Sequence, residues 1–121
     1  MPKILLVEDN ILTKSTIARF LRDEGFDVDE VAEGGSALSL LERQRYDLIL
    51  SDIAMPLVNG FDLLDRATSI APGIPVILIT AYDTLQSQAA SRGAADLILK
   101  PFLLDDLLSK IQLALAVKDT K

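Results

Sequence analysis

The sequence predicts an α/β fold, a parallel β-sheet with helices on both faces. Three observations carry that prediction. Short apolar runs recur along the chain: Ile4-Leu5-Leu6-Val7, Leu48-Ile49-Leu50, Val76-Ile77-Leu78-Ile79 and Leu97-Ile98-Leu99. Unbroken runs of this length suit strands buried on both faces, as in a parallel sheet between helix layers. Segments with apolar residues at helical spacing separate the runs, so strand and helix alternate five times. Finally, polar residues with chemical capacity follow directly on the apolar runs: Glu8-Asp9, Asp52, Thr80 and Lys100.

Each element has its own justification. Ile4 to Val7 is the first strand, ended by Glu8-Asp9-Asn10. Ile11 to Glu24 carries Ile17, Ala18, Phe20 and Leu21 at helical spacing, and Gly25 stops it. Phe26 to Ala32 is a weaker strand, with Val28, Val31 and Ala32 set among Asp27, Asp29 and Glu30. Charge of that density fits the edge of a sheet. Gly34-Gly35 breaks the chain, and Ser36 to Arg45 then forms a helix with Ala37, Leu38 and Leu41 on one face. Tyr46 to Ser51 is the third strand and ends at Asp52. Pro56 and Asn59-Gly60 punctuate a loop. Phe61 to Ile70 is helical, with Leu63, Leu64 and Ala67 apolar, and Pro72-Gly73 ends it.

Pro75 opens the fourth strand, Val76 to Ile79, which ends at Thr80. Leu85 to Arg92 is a short, polar, weakly amphipathic helix stopped by Gly93. The small pairs Ala89-Ala90 and Ala94-Ala95 either permit close packing or are plain filler, and filler is the favoured reading. Asp96 to Leu99 is the fifth strand, ending at Lys100-Pro101. Leu103 to Val117 is the longest helix, with Leu104, Leu107, Leu108, Ile111 and Leu115 as its buried stripe. Val117 to Lys121 is a polar tail.

Composition removes whole classes of function. The 121 residues are one domain's worth, 1 to 121. A chain of this size buries about two-thirds of its unfolded surface, enough for a real core. With 50% hydrophobic and 25% charged residues, disorder is excluded for the bulk of the chain. There is no Cys and no His, so disulfides, thiolate zinc sites, cysteine nucleophiles and histidine-based triads are excluded. A net charge of −6 argues against nucleic-acid binding by this domain, which depends on clustered Lys and Arg. No apolar run approaches the ~20 residues of a membrane span. The start, Met1-Pro2-Lys3 before a short apolar run, lacks the form of a signal peptide, so a cytoplasmic protein is expected.

The polar residues at the strand ends converge, because in open α/β sheets the ligand crevice lies at the carboxyl edge of the strands. Three carboxylates, Glu8, Asp9 and Asp52, then meet with no histidine or arginine among them. Like charges at short range repel, and a divalent cation offsets this. All-oxygen ligands suit Mg²⁺ or Mn²⁺. Singly, Glu8 or Asp9 is equally well explained as a cap of the helix near Ile11, and Asp52 as a strand end. Taken together at neighbouring strand ends, the three call for a counter-ion. Lys100 pairs with a carboxylate or a phosphoryl oxygen, or is an ordinary surface lysine. Thr80 offers a hydroxyl to a phosphoryl oxygen; taken alone, its reading as a β-branched strand end is the better one.

On these residues the chain resembles the receiver domain of two-component response regulators over essentially its whole length. The resemblance rests on Glu8-Asp9, on Asp52-Ile53-Ala54-Met55-Pro56 with Gly60 downstream, on Thr80-Ala81 and on Lys100-Pro101-Phe102. Asp52 stands 28 residues before Thr80 and 48 before Lys100, as such domains show. The resemblance implies a flavodoxin-like doubly wound sheet of five parallel strands, order 2-1-3-4-5, with five helices. It implies Asp52 as the nucleophile that accepts a phosphoryl group. It implies Asp9, Asp52 and the backbone carbonyl of Ala54 as ligands of Mg²⁺, Glu8 as holder of a metal-bound water, and Thr80 and Lys100 on phosphoryl oxygens. Such transfer needs positioning and charge neutralisation more than a general base, which suits a site without histidine.

Two positions depart from the family's pattern. Leu97 stands where an aromatic rotameric switch is common, and leucine reports only through packing. Leu103 stands where a helix N-cap is common, although Asp105 and Asp106 still favour that helix terminus. Tyr82 either covers the phosphoryl site or is a surface aromatic.

The resemblance further implies a phosphorylation-controlled switch. Its phosphoryl group comes from a sensor histidine kinase or a histidine phosphotransfer protein, and its altered surface, on the fourth helix, fifth strand and fifth helix, meets an output domain or protein. A homodimer on phosphorylation is compatible with it. Self-catalysed phosphorylation and dephosphorylation are the expected chemistry, not turnover of a separate substrate. The competing readings are a small phosphatase or phosphotransferase with an aspartate nucleophile, a flavin carrier of the same fold class, and a receiver-like interaction domain that is never phosphorylated. The first needs a substrate-selecting cap the short loops do not supply. The second needs a phosphate-cradling loop where Glu8-Asp9-Asn10 stands.

Overall fold

The structure, a computed structural model, describes residues 1–119. The elements run β1 (Lys3–Val7), α1 (Ile11–Asp23), β2 (Asp27–Val31), α2 (Gly34–Arg43), β3 (Leu48–Asp52), α3 (Gly60–Ile70), β4 (Val76–Thr80), a 3₁₀ turn (Asp83–Leu85), α4 (Gln86–Ser91), β5 (Asp96–Leu99) and α5 (Leu104–Asp119). The five strands form one sheet in the order β2-β1-β3-β4-β5, every neighbouring pair parallel. This is the order the resemblance implies, and the charged β2 lies at an edge as expected. Among the described residues no helix is long and apolar enough to cross a membrane.

Strand side chains alternate between two faces, and each face builds its own core. Ile4, Leu6, Leu48, Leu50, Ile77 and Ile79 pack against Ile17 and Leu21 of α1 and Leu107 and Ile111 of α5. Leu5, Val7, Ile49, Val76 and Leu78 pack against α2, α3 and Ala89 of α4. Burial on both sides explains the unbroken apolar runs, and each such leucine or isoleucine contributes ~1.5–3 kcal/mol.

Several boundaries differ from expectation for identifiable reasons. Gly34-Gly35 does not break the chain but opens α2, which ends at Arg43 rather than Arg45. A Cβ on Gly34 would lie 2.7 Å from both the carbonyl oxygen and Cγ1 of Val58. The glycine serves the approach of α2 to the loop before α3, a contact invisible to local pattern. The expected helix from Leu85 to Arg92 is a 3₁₀ turn followed by six residues of α4, whose one buried residue is Ala89. So polar a segment has no apolar face with which to sustain a longer helix. Helix α5 begins at Leu104 and continues through Asp119, so the first residues of the expected polar tail are helical. Thr120 and Lys121 lie outside the described residues. The Leu103 carbonyl accepts from the N–H groups of Asp106 (3.1 Å) and Leu107 (3.2 Å), placing it at the helix start as expected.

Candidate functional site

The carboxyl edge of the sheet gathers the polar residues through strand register. Val7 pairs with Ser51, so Glu8, which follows β1, and Asp52, the last residue of β3, lie side by side. Asp52 pairs with Ile79, and Thr80 with Leu99, which carries Thr80 and Lys100 to the same edge. The Glu8 N–H bonds to the Val31 carbonyl at 3.0 Å, extending the β1–β2 ladder by one residue and holding Glu8 in the sheet. Glu8 is wholly buried and Asp52 only 6% exposed, while Asp9 faces solvent.

One carboxylate oxygen from each of Glu8, Asp9 and Asp52 lies within 4.8 Å of the other two. Lys100 Nζ donates to Asp52 Oδ2 at 3.0 Å and to Glu8 Oε1 at 3.3 Å. Glu8 Oε2 is buried without a hydrogen-bond partner. A helix-capping role for Glu8 or Asp9 is overturned: Asn10 caps α1, its side chain accepting from the Thr13 N–H at 2.9 Å.

Charge is underbalanced here, since one lysine faces three carboxylates. Burial, then the neighbouring Asp52 carboxylate, push the Glu8 carboxyl from 4.5 up to about 7, against the opposing pull of Lys100. Burial of Lys100 works against its charge, but the hydrogen bond and charge of Asp52, then of Glu8, outweigh it and raise its pKa. An all-oxygen donor set with an orphaned buried oxygen and excess negative charge fits a hard divalent cation such as Mg²⁺ or Mn²⁺.

The loop after Asp52 is tightly constructed. Asp52 Oδ1 accepts from the Ala54 N–H at 3.3 Å. The Gly60 N–H bonds to the Ile53 carbonyl at 3.0 Å, and a Cβ on Gly60 would sit 2.7 Å from the Asp52 carbonyl oxygen and from Ile53 Cα. Only glycine lets the start of α3 lie against the Asp52 backbone. Asn59 and Asp62 close that helix with reciprocal side-chain-to-backbone bonds. The close approach at Gly60 and the Asn10 cap are features the sequence reading missed. An Asn directly before an apolar-periodic segment was signal enough for the cap.

Thr80 is 2% exposed, and its Oγ1 accepts from the Tyr82 N–H at 3.1 Å. The Lys100 N–H bonds to the Thr80 carbonyl at 2.7 Å, and the Lys100–Pro101 peptide is cis. Thr80 thus reaches the edge beside the acidic group without being hydrogen-bonded into it. Tyr82 is 63% exposed, a surface aromatic rather than a cover over the site. Leu97 is half-buried and packs against the core shared by α2, α3 and α4.

Comparison with known proteins agrees with this geometry. The family of the response regulator receiver domain matches residues 4–112. The chain is 37% identical to the probable transcriptional regulatory protein SilR of Salmonella typhimurium, over 91% of this chain and 49% of SilR. It is 35% identical to the transcriptional regulatory protein CusR of Escherichia coli K12, with the same two coverages, 91% and 49%. The chain therefore spans about half the length of these curated relatives. Among solved structures, the CheY-like response regulator receiver domain protein from Methanospirillum hungatei superposes with a TM-score of 0.93 at 31% identity, covering 99% of this chain and 98% of that one. Chemotaxis protein CheY4 of Vibrio cholerae gives 0.87 at 29%, covering 94% and 98%. By sequence, sheet order and the residues at its carboxyl edge, this chain belongs to the response regulator receiver domain family.

Proposed function

We propose that residues 1 to 121 form one receiver domain that accepts a phosphoryl group on Asp52 and relays the event as a change in surface. The observation that carries this reading is the bridge from Lys100 Nζ to both Asp52 and Glu8 beside an orphaned Glu8 oxygen. A buried ion-pair network left short of positive charge is built to receive a cation and to stabilise added negative charge.

The chemistry follows from the chain's own groups. An Asp52 carboxylate oxygen attacks phosphorus and forms the new O–P bond. The bond from phosphorus to the donor breaks, and its electron pair stays on the donor atom, an imidazole nitrogen in a phosphohistidine. No base is needed, because an ionised carboxylate has no proton to remove. Lys100, already 3.0 Å from Asp52, keeps an anionic partner as carboxylate becomes acyl phosphate. Thr80 Oγ1 accepts from the Tyr82 N–H, so its own O–H is free to donate to a phosphoryl oxygen. The Ala54 N–H on Asp52 Oδ1 fixes the carboxylate's orientation. Glu8, Asp9 and Asp52, with the Ala54 carbonyl, would hold the Mg²⁺ or Mn²⁺, which supplies charge neutralisation for the transferred group.

The donor on this reading is a sensor histidine kinase or histidine phosphotransfer protein in the cytoplasm, and the receiver of the message is an output domain or protein. The domain acts on its own phosphoryl group and on no separate substrate. The relatives named as transcriptional regulators support the signalling role.

The test is incubation with acetyl phosphate and Mg²⁺, read by intact mass. A phosphoryl adduct on wild type, dependent on Mg²⁺ and lost in Asp52→Asn, is expected. An undiminished adduct on Asp52→Asn, mapped to another residue, would overturn the assignment.

A further inference from the structure

Two chain segments leave the site in different directions and meet again at one side chain. From Asp52 the chain passes through the Gly60 contact into α3, whose second residue is Phe61. From Thr80 it passes through Tyr82 and the 3₁₀ turn into α4. Arg92, directly after α4, lays its guanidinium over the Phe61 ring at 4.8 Å from the centroid. Its Nη1 also lies 3.4 Å from Asp65 Oδ2, one turn further along α3. Arg92 therefore ties the segment anchored at Asp52 to the segment anchored at Thr80.

Helix α4 buries one residue, Ala89, in the core and packs beside β5. Between it and β5 lies an open groove of about 140 Å³, whose lining includes Gln86, Ala89, Ala90, Ala94, Asp96 and Leu97. Small side chains and a leucine at Leu97 leave that space open, so α4 has room to shift as a unit. A helix of six residues with one buried side chain has few contacts to lose when it moves.

We propose that Arg92 is a latch that holds α4 against α3 in the unphosphorylated protein, and that phosphorylation works by releasing it. This rests on the switch function proposed above. Pull on Thr80 by a phosphoryl group moves the loop Ala81–Tyr82 and with it α4, while Gly60 holds α3 in register with Asp52. The two ends of the latch then separate. Because the two states differ in the latch, weakening it shifts the population toward the released state before any phosphorylation.

The experiment follows backbone amide NMR shifts of residues 83–93, in wild type and in Arg92→Ala, Arg92→Lys and Asp65→Asn. Spectra are recorded free and with saturating beryllofluoride and Mg²⁺, and beryllofluoride is titrated at fixed Mg²⁺. In free Arg92→Ala these amides should move along the line toward their wild-type saturated positions. The apparent affinity for beryllofluoride should rise by the same factor, roughly three- to tenfold for two half-exposed contacts. Arg92→Lys keeps a charge for Asp65 but loses the planar stack, and should shift part of the way; so should Asp65→Asn. Free-state amides at wild-type positions and unchanged beryllofluoride affinity in Arg92→Ala, whatever its melting temperature, would overturn the latch and leave the switch reading intact. No response of wild type to beryllofluoride and Mg²⁺ would overturn the switch reading itself, and the latch with it.

Discussion

Glu8 should make the metal-free protein less stable as pH rises through neutrality. It is wholly buried beside Asp52, and its carboxyl rises from 4.5 to about 7 on folding. Between those values the folded state holds a proton that the unfolded state has released. Stability is therefore greatest with respect to this group below pH 4.5, falls as pH rises through about 7, and levels off above. At about 1.4 kcal/mol for each pH unit, the ionised carboxylate opposes folding by at most about 3–4 kcal/mol. For a domain of this size that corresponds to roughly 10 °C in melting temperature. Other carboxylates titrate in the lower part of the range, so the diagnostic quantity is the difference between wild type and Glu8→Gln. Thermal unfolding in EDTA from pH 5 to pH 8 should show wild type losing stability relative to the variant. Added Mg²⁺ should restore wild type, by ~2.7 kcal/mol at a hundredfold excess over its dissociation constant, and more strongly at pH 8 than at pH 5. A difference between the two proteins that is flat across that range would refute the argument.

Asp52→Asn should lose the Mg²⁺-dependent phosphoryl adduct and weaken Mg²⁺ binding by about tenfold or more, read by mass and by calorimetry. Gly60→Ala places a methyl 2.7 Å from the Asp52 carbonyl oxygen and Ile53 Cα. It should destabilise by ~1–3 kcal/mol in denaturant titration and displace the amide shifts of residues 52–60. Asn10→Ala removes the cap of α1 and should cost ~1 kcal/mol while leaving Mg²⁺ affinity unchanged. A large loss of Mg²⁺ binding in that variant would mean that Asn10 also serves the site.

The α/β class, the number of strands and the residues at their ends are legible in the sequence. They are legible there because those properties are local. A strand covered on both faces needs an apolar side chain at every position, so Ile4 to Val7 and Val76 to Ile79 announce themselves without reference to the rest of the chain. A run that stops at an acid, a threonine or a lysine marks the strand end whatever its neighbours are. The acidic group was legible for the same reason, since parallel strands deliver their carboxyl ends to one edge.

How those ends meet is set by long-range contacts in the folded chain. Lys100 bonds to Glu8 across 92 residues of chain and to Asp52 across 48, and no periodicity records which carboxylate it takes. Gly34 reads as a breaker until Val58 is seen where its Cβ would stand, and the need for Gly60 appears only once α3 lies against Asp52. The fourth helix is shorter than its pattern predicts because its polar residues carry no stripe to bound it, and the Arg92 contacts beyond its end reach Phe61 and Asp65 on another element. The Lys100, Gly34 and Arg92 contacts join residues brought together by crossovers, the Gly60 contact is set by the path of its loop, and each depends on distances that sequence spacing does not contain.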